Sequence, residues 1–186
     1  MKFIIKYLAT ASIIALSIVV SHAETATNSF DVQITIKDGC TVQFPQNSGK
    51  IDFGEYAAIT TTISKSQAVV VNCKNATTTS IPAGTYSLAL NNGTGTGATT
   101  QARKLTSGNN TIDYTVYQAS NLSSTTCAGT LWGSSDGQMF SGSLTSTATS
   151  PITGNHTHYF TVCIPVPASQ PANGVYTDTL TATLSY

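Results

Sequence analysis

The chain has 186 residues, of which only 9% are charged, against roughly 25% in an average soluble protein. Eight basic and eight acidic residues cancel, which leaves no electrostatic footprint for nucleic acid or an anionic membrane surface. The length suits one domain with a short appendage and excludes a barrel-type or two-domain enzyme of ordinary size. Disorder is also excluded, because 40% of the residues are hydrophobic and they recur regularly among uncharged Thr, Ser, Asn and Gly.

The first segment is read as a secretory signal peptide. Lys2 and Lys6 precede an almost wholly apolar run, Leu8 to Val20, and Ser21-His22-Ala23 follows as a small-x-small cleavage site. The run is shorter than the roughly 20 residues that a membrane span needs. Cleavage after Ala23 leaves a mature chain of 163 residues with two more acidic than basic groups. No other long apolar run follows, so that chain is expected to be soluble, with no stable membrane insertion.

Strand patterns then recur along the chain, with almost no helical period. Phe30, Val32, Ile34 and Ile36 alternate with polar residues, as in a half-buried strand. Glu24 to Ser29, ahead of it, is small and polar, as in a flexible leader. The alternating segment fits two readings equally: an ordinary first strand, or a detachable strand that docks on another molecule by β-augmentation. Ile51-Asp52-Phe53 reads as a short strand ended by Gly54. Gln67 to Asn72 holds a Val69-Val70-Val71 run. Tyr86, Leu88 and Leu90 alternate, and so do Ile112, Tyr114 and Val116. Met139 to Leu144 is weaker and Tyr159 to Val166 is strong. Leu180, Ala182, Leu184 and Tyr186 alternate with Thr and Ser at the end. Turn signals at Asn91–Gly93, Ser107–Asn110, Ser134–Gly137 and Pro171–Gly174 separate these runs. Many short strands at regular spacing predict an all-β sandwich or barrel.

Cys40, Cys73, Cys127 and Cys163 form an even set without a CxxC pair, which suits an exported, disulfide-bonded protein better than a zinc or redox site. Three pairings are open. The nearest-neighbour set, Cys40–Cys73 and Cys127–Cys163, is favoured because it staples each half locally.

Chemical motifs are weak. Gly133-Ser134-Ser135-Asp136-Gly137 matches a nucleophile elbow, but its flanks are turn and strand residues rather than strand and helix. His156 and His158 share a face of an extended segment, with no third ligand at suggestive spacing. Gly93 to Thr100 is glycine-rich, yet no lysine or helix follows, so it reads as a plain loop. Asn75, Asn121 and Asn155 head glycosylation sequons of a kind that arise by chance in so Thr-rich a chain. Trp132 with Tyr114 and Tyr117 suits a core better than a sugar platform. No enzyme activity, cofactor or metal is expected.

Taken in order, these residues resemble the spore coat protein U domain family, the module of Csu-type (archaic) chaperone–usher pilins. The matching features are Cys40-Thr41-Val42, Phe53-Gly54-Glu55-Tyr56, Val69-Val70-Val71-Asn72-Cys73, Tyr86-Ser87-Leu88, Arg103-Lys104-Leu105, Ile112-Asp113-Tyr114 and Trp132-Gly133. Pro171, Gly174-Val175-Tyr176-Thr177-Asp178 and the terminal Leu184-Ser185-Tyr186 complete the set. Cys163 departs from the pattern, since the family commonly lacks a cysteine there.

The resemblance implies an incomplete immunoglobulin-like β-sandwich completed by a donor strand from another subunit. It divides the chain into signal peptide 1–23, donor-strand extension 24–37 and sandwich domain 38–186. The donor strand is about Ser29 to Lys37, with Phe30, Val32, Ile34 and Ile36 as plugs. The C-terminal strand, Thr177 to Tyr186, borders the acceptor groove with Leu180, Ala182, Leu184 and Tyr186 inward. Implied partners are identical or related pilin subunits, a periplasmic chaperone and an outer-membrane usher, on a route from periplasm to a surface pilus that serves adhesion and biofilm formation. The role implied is the shaft subunit. A secreted carbohydrate-binding adhesin, or a minor or tip-adaptor pilin, is the alternative.

Overall fold

β-branched and aromatic residues at alternate positions favour extended chain and disfavour helix. The computed structural model describes residue 33 and residues 39–74, 84–144 and 153–186. The expected signal peptide and the plugs Phe30, Val32, Ile34 and Ile36 lie outside the described residues. The chain divides into two units, Met1–Thr35 and Ile36–Tyr186, and the second is described here.

Eight strands form: β1 (Gly39–Gln43), β2 (Ile63–Lys74), β3 (Gly84–Leu90), β4 (Arg103–Ser107), β5 (Asn110–Ala119), β6 (Phe140–Leu144), β7 (Thr153–Ile164) and β8 (Ala182–Ser185). They make a five-stranded sheet, β1-β2-β7-β5-β4, and a three-stranded sheet, β6-β3-β8, with every pairing antiparallel. Among the described residues the only helix is a 3-10 turn at Asn47–Gly49.

The two-residue period of each strand sends one set of side chains inward. Val69 and Val71, Tyr114 and Val116, and Phe160 and Val162 come from the large sheet; Tyr86, Leu88 and Leu90 come from the small one, and all are buried in one cluster. Trp132 lies at its centre, 4.9 Å from the rings of both Phe140 and Phe160, and its indole N–H donates to Leu88 O at 2.9 Å. Trp132 and Tyr114 are thus core residues and offer no sugar platform. The protein is an all-β sandwich of two antiparallel sheets, as the sequence predicts.

Both favoured disulfides form. Cys40–Cys73 joins directly opposed residues of β1 and β2. Cys127–Cys163 ties the segment after β5 to β7, where Ser66 and Thr161 also bond to Ser124 O.

Several strand limits differ from expectation. Ile51–Phe53 is not a strand: Asp52 accepts the Gly54 N–H at 2.9 Å and pairs with Lys50 at 3.1 Å, and Gly54 turns the chain at φ 88°. Ile51 and Phe53 still pack on the core from this irregular segment. β7 starts at Thr153, six residues before Tyr159, and stops at Ile164 because Pro165 has no N–H to donate. The C-terminal strand is confined to Ala182–Ser185, because Thr177 is paired with Thr106 of β4 in the other sheet. β1 and β4 are strands that the periodicity did not mark, each only five residues long.

Arg103 is fully buried in this sandwich. Its guanidinium donates to Asn91 O at 3.0 Å, Thr100 O at 3.3 Å and Trp132 O at 2.7 Å, and burial lowers its pKa. Arg103→Ala strands these carbonyls in the core and removes the link between β4, the loop after β3 and the Trp132 segment. The expected cost is roughly 3 kcal/mol or more, read as a lower urea midpoint.

Candidate functional site

The candidate site lies between two sheet edges that have no further strand beside them among the described residues. β1 is an edge strand of the large sheet, paired only with β2, and β8 is an edge strand of the small sheet, paired only with β3, among the described residues. The two edges lie on the same side of the sandwich: a Cβ on Gly39 would stand 3.6 Å from Tyr186 Oη. No described strand pairs with the outer ladder of β8.

Both edges carry partly buried apolar side chains packed against the core. From the large sheet, Cys40 and Val42 of β1, followed by Phe44, rest on the core while half-buried; exposed Thr41 and Gln43 alternate with them. From β8 of the small sheet come Ala182 and Leu184, preceded by Leu180, all half-buried and alternating with exposed Thr181, Thr183 and Ser185. Tyr86, Leu88 and Leu90 of the neighbouring β3 are 1%, 0% and 3% exposed. The contrast between β3 and β8 is the contrast between a covered strand and one whose inner face is open on one flank. Leu180 stands before the β8 ladder. Tyr186 stands after it, at the end of the groove, with 66% of its surface exposed. The sequence marks Leu180, Ala182 and Leu184 as one candidate wall but not Cys40, Val42 and Phe44, whose alternation in Cys-Thr-Val-Gln-Phe was the available signal.

The description of the Spore Coat Protein U domain matches residues 26–183. The chain belongs to that family. No curated protein matches it. Among solved structures, it is similar to a chain in the crystal structure of the CsuC–CsuE chaperone–tip adhesion subunit pre-assembly complex from the archaic chaperone-usher Csu pili of Acinetobacter baumannii. The identity is 20% and the TM-score 0.48, over 82% of this chain. This chain spans only 41% of the length of that one.

In this Spore Coat Protein U domain the approach to β8 is held by Asp178. Its Oδ1 accepts from Thr94 N at 2.7 Å and Thr94 Oγ1 at 2.8 Å, and its Oδ2 accepts from Tyr114 Oη–H at 2.6 Å. Burial, and then the bond to Asp178, push the Tyr114 phenol far above its ordinary pKa, so it stays a donor. Gly93 makes room for the carboxylate: its φ is 88°, and any Cβ there would collide with Asp178. The clasp sets where the chain leaves the large sheet and enters β8.

At the Tyr186 end of the domain, β7 presents His156 and His158 inward, sharing a face as predicted. His158 Nε2 is 2.6 Å from Tyr86 Oη, Phe140 stacks on the His158 ring at 4.5 Å, and Tyr86 also packs on His156 at 5.2 Å. Burial first, and then the neighbouring His156, lower the pKa of His158 below its ordinary 6.5. A histidine held neutral by the fold contributes stability that is present above its unfolded pKa, near 6.5, and is lost as pH falls through the lower folded value. The urea midpoint is expected to drop between pH 7.5 and pH 5, and His158→Gln is expected to flatten that drop.

The remaining motifs do not gather around the groove. Gly133–Gly137 is a turn closed by Gly133 N–H to Gln138 O and Gln138 N–H to Ser135 O, both 3.0 Å, so Ser135 is not on a strand-to-helix elbow. Gly93 to Thr100 is a loop. Asn121 accepts the Ser123 N–H at 3.0 Å in an exposed turn. Asn75 lies outside the described residues.

Proposed function

We propose that the chain is a structural subunit, a shaft pilin, of a chaperone–usher surface pilus, and that it polymerises by donor-strand exchange to support adhesion and biofilm formation. The observation that carries this is the apolar gap between β1 and β8, half-open along Val42, Phe44, Leu180, Ala182 and Leu184.

The proposed occupant is the segment Ser29 to Lys37 of another copy. Phe30, Val32, Ile34 and Ile36 recur every second residue, the period of Leu180, Ala182 and Leu184, at about 7 Å per step. Burying four such side chains at about 1.5–3 kcal/mol each gives roughly 6–12 kcal/mol as an upper estimate. Ladder bonds to the free edge of β8 fix the register. Donation between copies, rather than back onto the same copy, has its own support. Asp38-Gly39 is the residue pair that would form a tight hairpin with β1. The type I′ turn that an Asp-Gly pair favours needs positive φ at both residues, but Gly39 is extended and paired with Lys74 of β2.

An empty groove is an aggregation hazard, which is the reason for a periplasmic chaperone before assembly and for handover at an outer-membrane usher. Residues 1–23 would direct export and residues 24–37 would be the extension, with the sandwich following from 38.

The test is a denaturing gel of the protein exported with its neighbouring secretion proteins, unboiled beside boiled. A ladder that collapses on boiling to one band supports strand-exchanged polymers held by slow dissociation. A single monomer band in both lanes overturns the proposal.

A further inference from the structure

Three large apolar side chains stand exposed at the end of the sandwich where β7 finishes: Tyr56 at 51%, Val166 at 49% and Val175 at 82%. The register brings them there. Ile63 at the start of β2 lies opposite Ile164 at the end of β7, and Val166 follows after Pro165. Tyr56 precedes β2 on a segment tied to the same end by Gln170, whose side-chain amide bonds both N–H and C=O of Ile59, at 2.8 and 3.1 Å. Val175 adjoins Gly174, which abuts Ser107 at the end of β4, and Thr177 is paired with Thr106. Singly exposed apolar residues need no explanation. Three at one end, opposite the end where β1 begins, acquire one from the chain's connectivity.

β8 runs away from this end and finishes beside Gly39. Every pairing in both sheets is antiparallel, the arrangement with the better ladder. A strand received antiparallel to β8 therefore leaves the groove at the Tyr56–Val166–Val175 end. Its last residue, Lys37, is separated from Gly39 by Asp38 alone, a reach of at most about 7 Å. The donating copy must then begin its β1 directly against that end.

Building on the donor-strand reading, we infer that Tyr56, Val166 and Val175 form a second contact between successive copies. They dock the end of the donating copy that carries Gly39 and the Cys40–Cys73 bridge. The donated strand holds the copies together, and this apolar end limits how far they swing about Asp38. Without such a contact, free relative motion is the default for domains joined by a short link.

The test is the combined variant Tyr56→Ser, Val166→Ser and Val175→Ser, exported with the secretion proteins. The substitutions are exposed and leave plugs and groove intact. The unboiled gel is read together with the spread of bend angles between successive subunits in electron micrographs. The expected result is a heat-labile ladder like the wild type's and a bend-angle spread roughly twofold wider. An intact ladder with an unchanged spread overturns the docking contact and leaves strand exchange standing. Loss of the ladder in the variant alone also overturns it, because the three side chains would then serve strand uptake itself. A wild-type chain that forms no ladder removes both readings together.

Discussion

Ile34→Asp is expected to abolish the heat-labile ladder while leaving a domain that is still recovered with its chaperone. The substitution removes one of four apolar plugs, about 1.5–3 kcal/mol, and asks an apolar groove to take a carboxylate, which costs several kcal/mol more unless it is protonated or paired. The groove residues Cys40, Val42, Phe44, Leu180, Ala182 and Leu184 offer no cation to pair it. Against an upper estimate of roughly 6–12 kcal/mol for the whole strand, a loss of about 5 kcal/mol speeds dissociation by a factor on the order of thousands. Gln33→Asp is the control, because the two-residue period puts position 33 on the opposite face of the segment from the plugs. Its ladder is expected to persist. Equal ladders from both variants would remove residues 29–37 from the donor role.

The layers of this sandwich were legible because buried strands write a two-residue period into the sequence. Tyr86, Leu88 and Leu90, and Ile112, Tyr114 and Val116, are such runs, and all are buried. What escaped notice was set by backbone pairing and hydrogen bonds rather than by the hydrophobic pattern. β4 is recruited by hairpin pairing with β5, although Arg-Lys-Leu-Thr-Ser carries little hydrophobic pattern of its own. Its Arg103, which local composition marks as a surface residue, is the most deeply buried charge among the described residues because the backbone carbonyls of Asn91, Thr100 and Trp132 converge on it. Ile51 and Phe53 showed the right period for a strand, yet the Asp52–Gly54 turn overrode it while keeping both side chains inward.

The proposed groove was half legible for the same reason. The alternation Leu180-x-Ala182-x-Leu184 marks one wall, but only three-dimensional pairing reveals that Thr177 and Asp178 belong to the other sheet and that the β8 ladder starts at Ala182. Alternation likewise does not tell an inward face that is covered from one that awaits a partner. That distinction rests on the contrast between buried Leu88 and Leu90 on β3 and half-exposed Ala182 and Leu184 facing them across the ladder.

The two disulfides are expected to separate stability from strand capture. They close loops of nearly equal size, with sequence separations of 33 and 36, so the chain-entropy cost of losing either is roughly 3–4 kcal/mol. Their places differ. Cys40–Cys73 clamps β1 to β2, and β1 has no other strand beside it among the described residues while supplying Val42 to the groove. Cys127–Cys163 pins the segment after β5 to β7, between two strands that remain paired without it. Replacing Cys40 and Cys73 together by Ser should therefore lower the urea midpoint and also let β1 fray, so that the wall facing β8 is lost and the ladder with it. Replacing Cys127 and Cys163 together should lower the midpoint by a similar amount yet leave a ladder at temperatures where the domain stays folded. Uptake of a synthetic peptide of residues 29–37 by each variant, compared at equal fractions folded, measures the difference directly. Equal uptake by the two variants would mean that β1 is not a wall of the site.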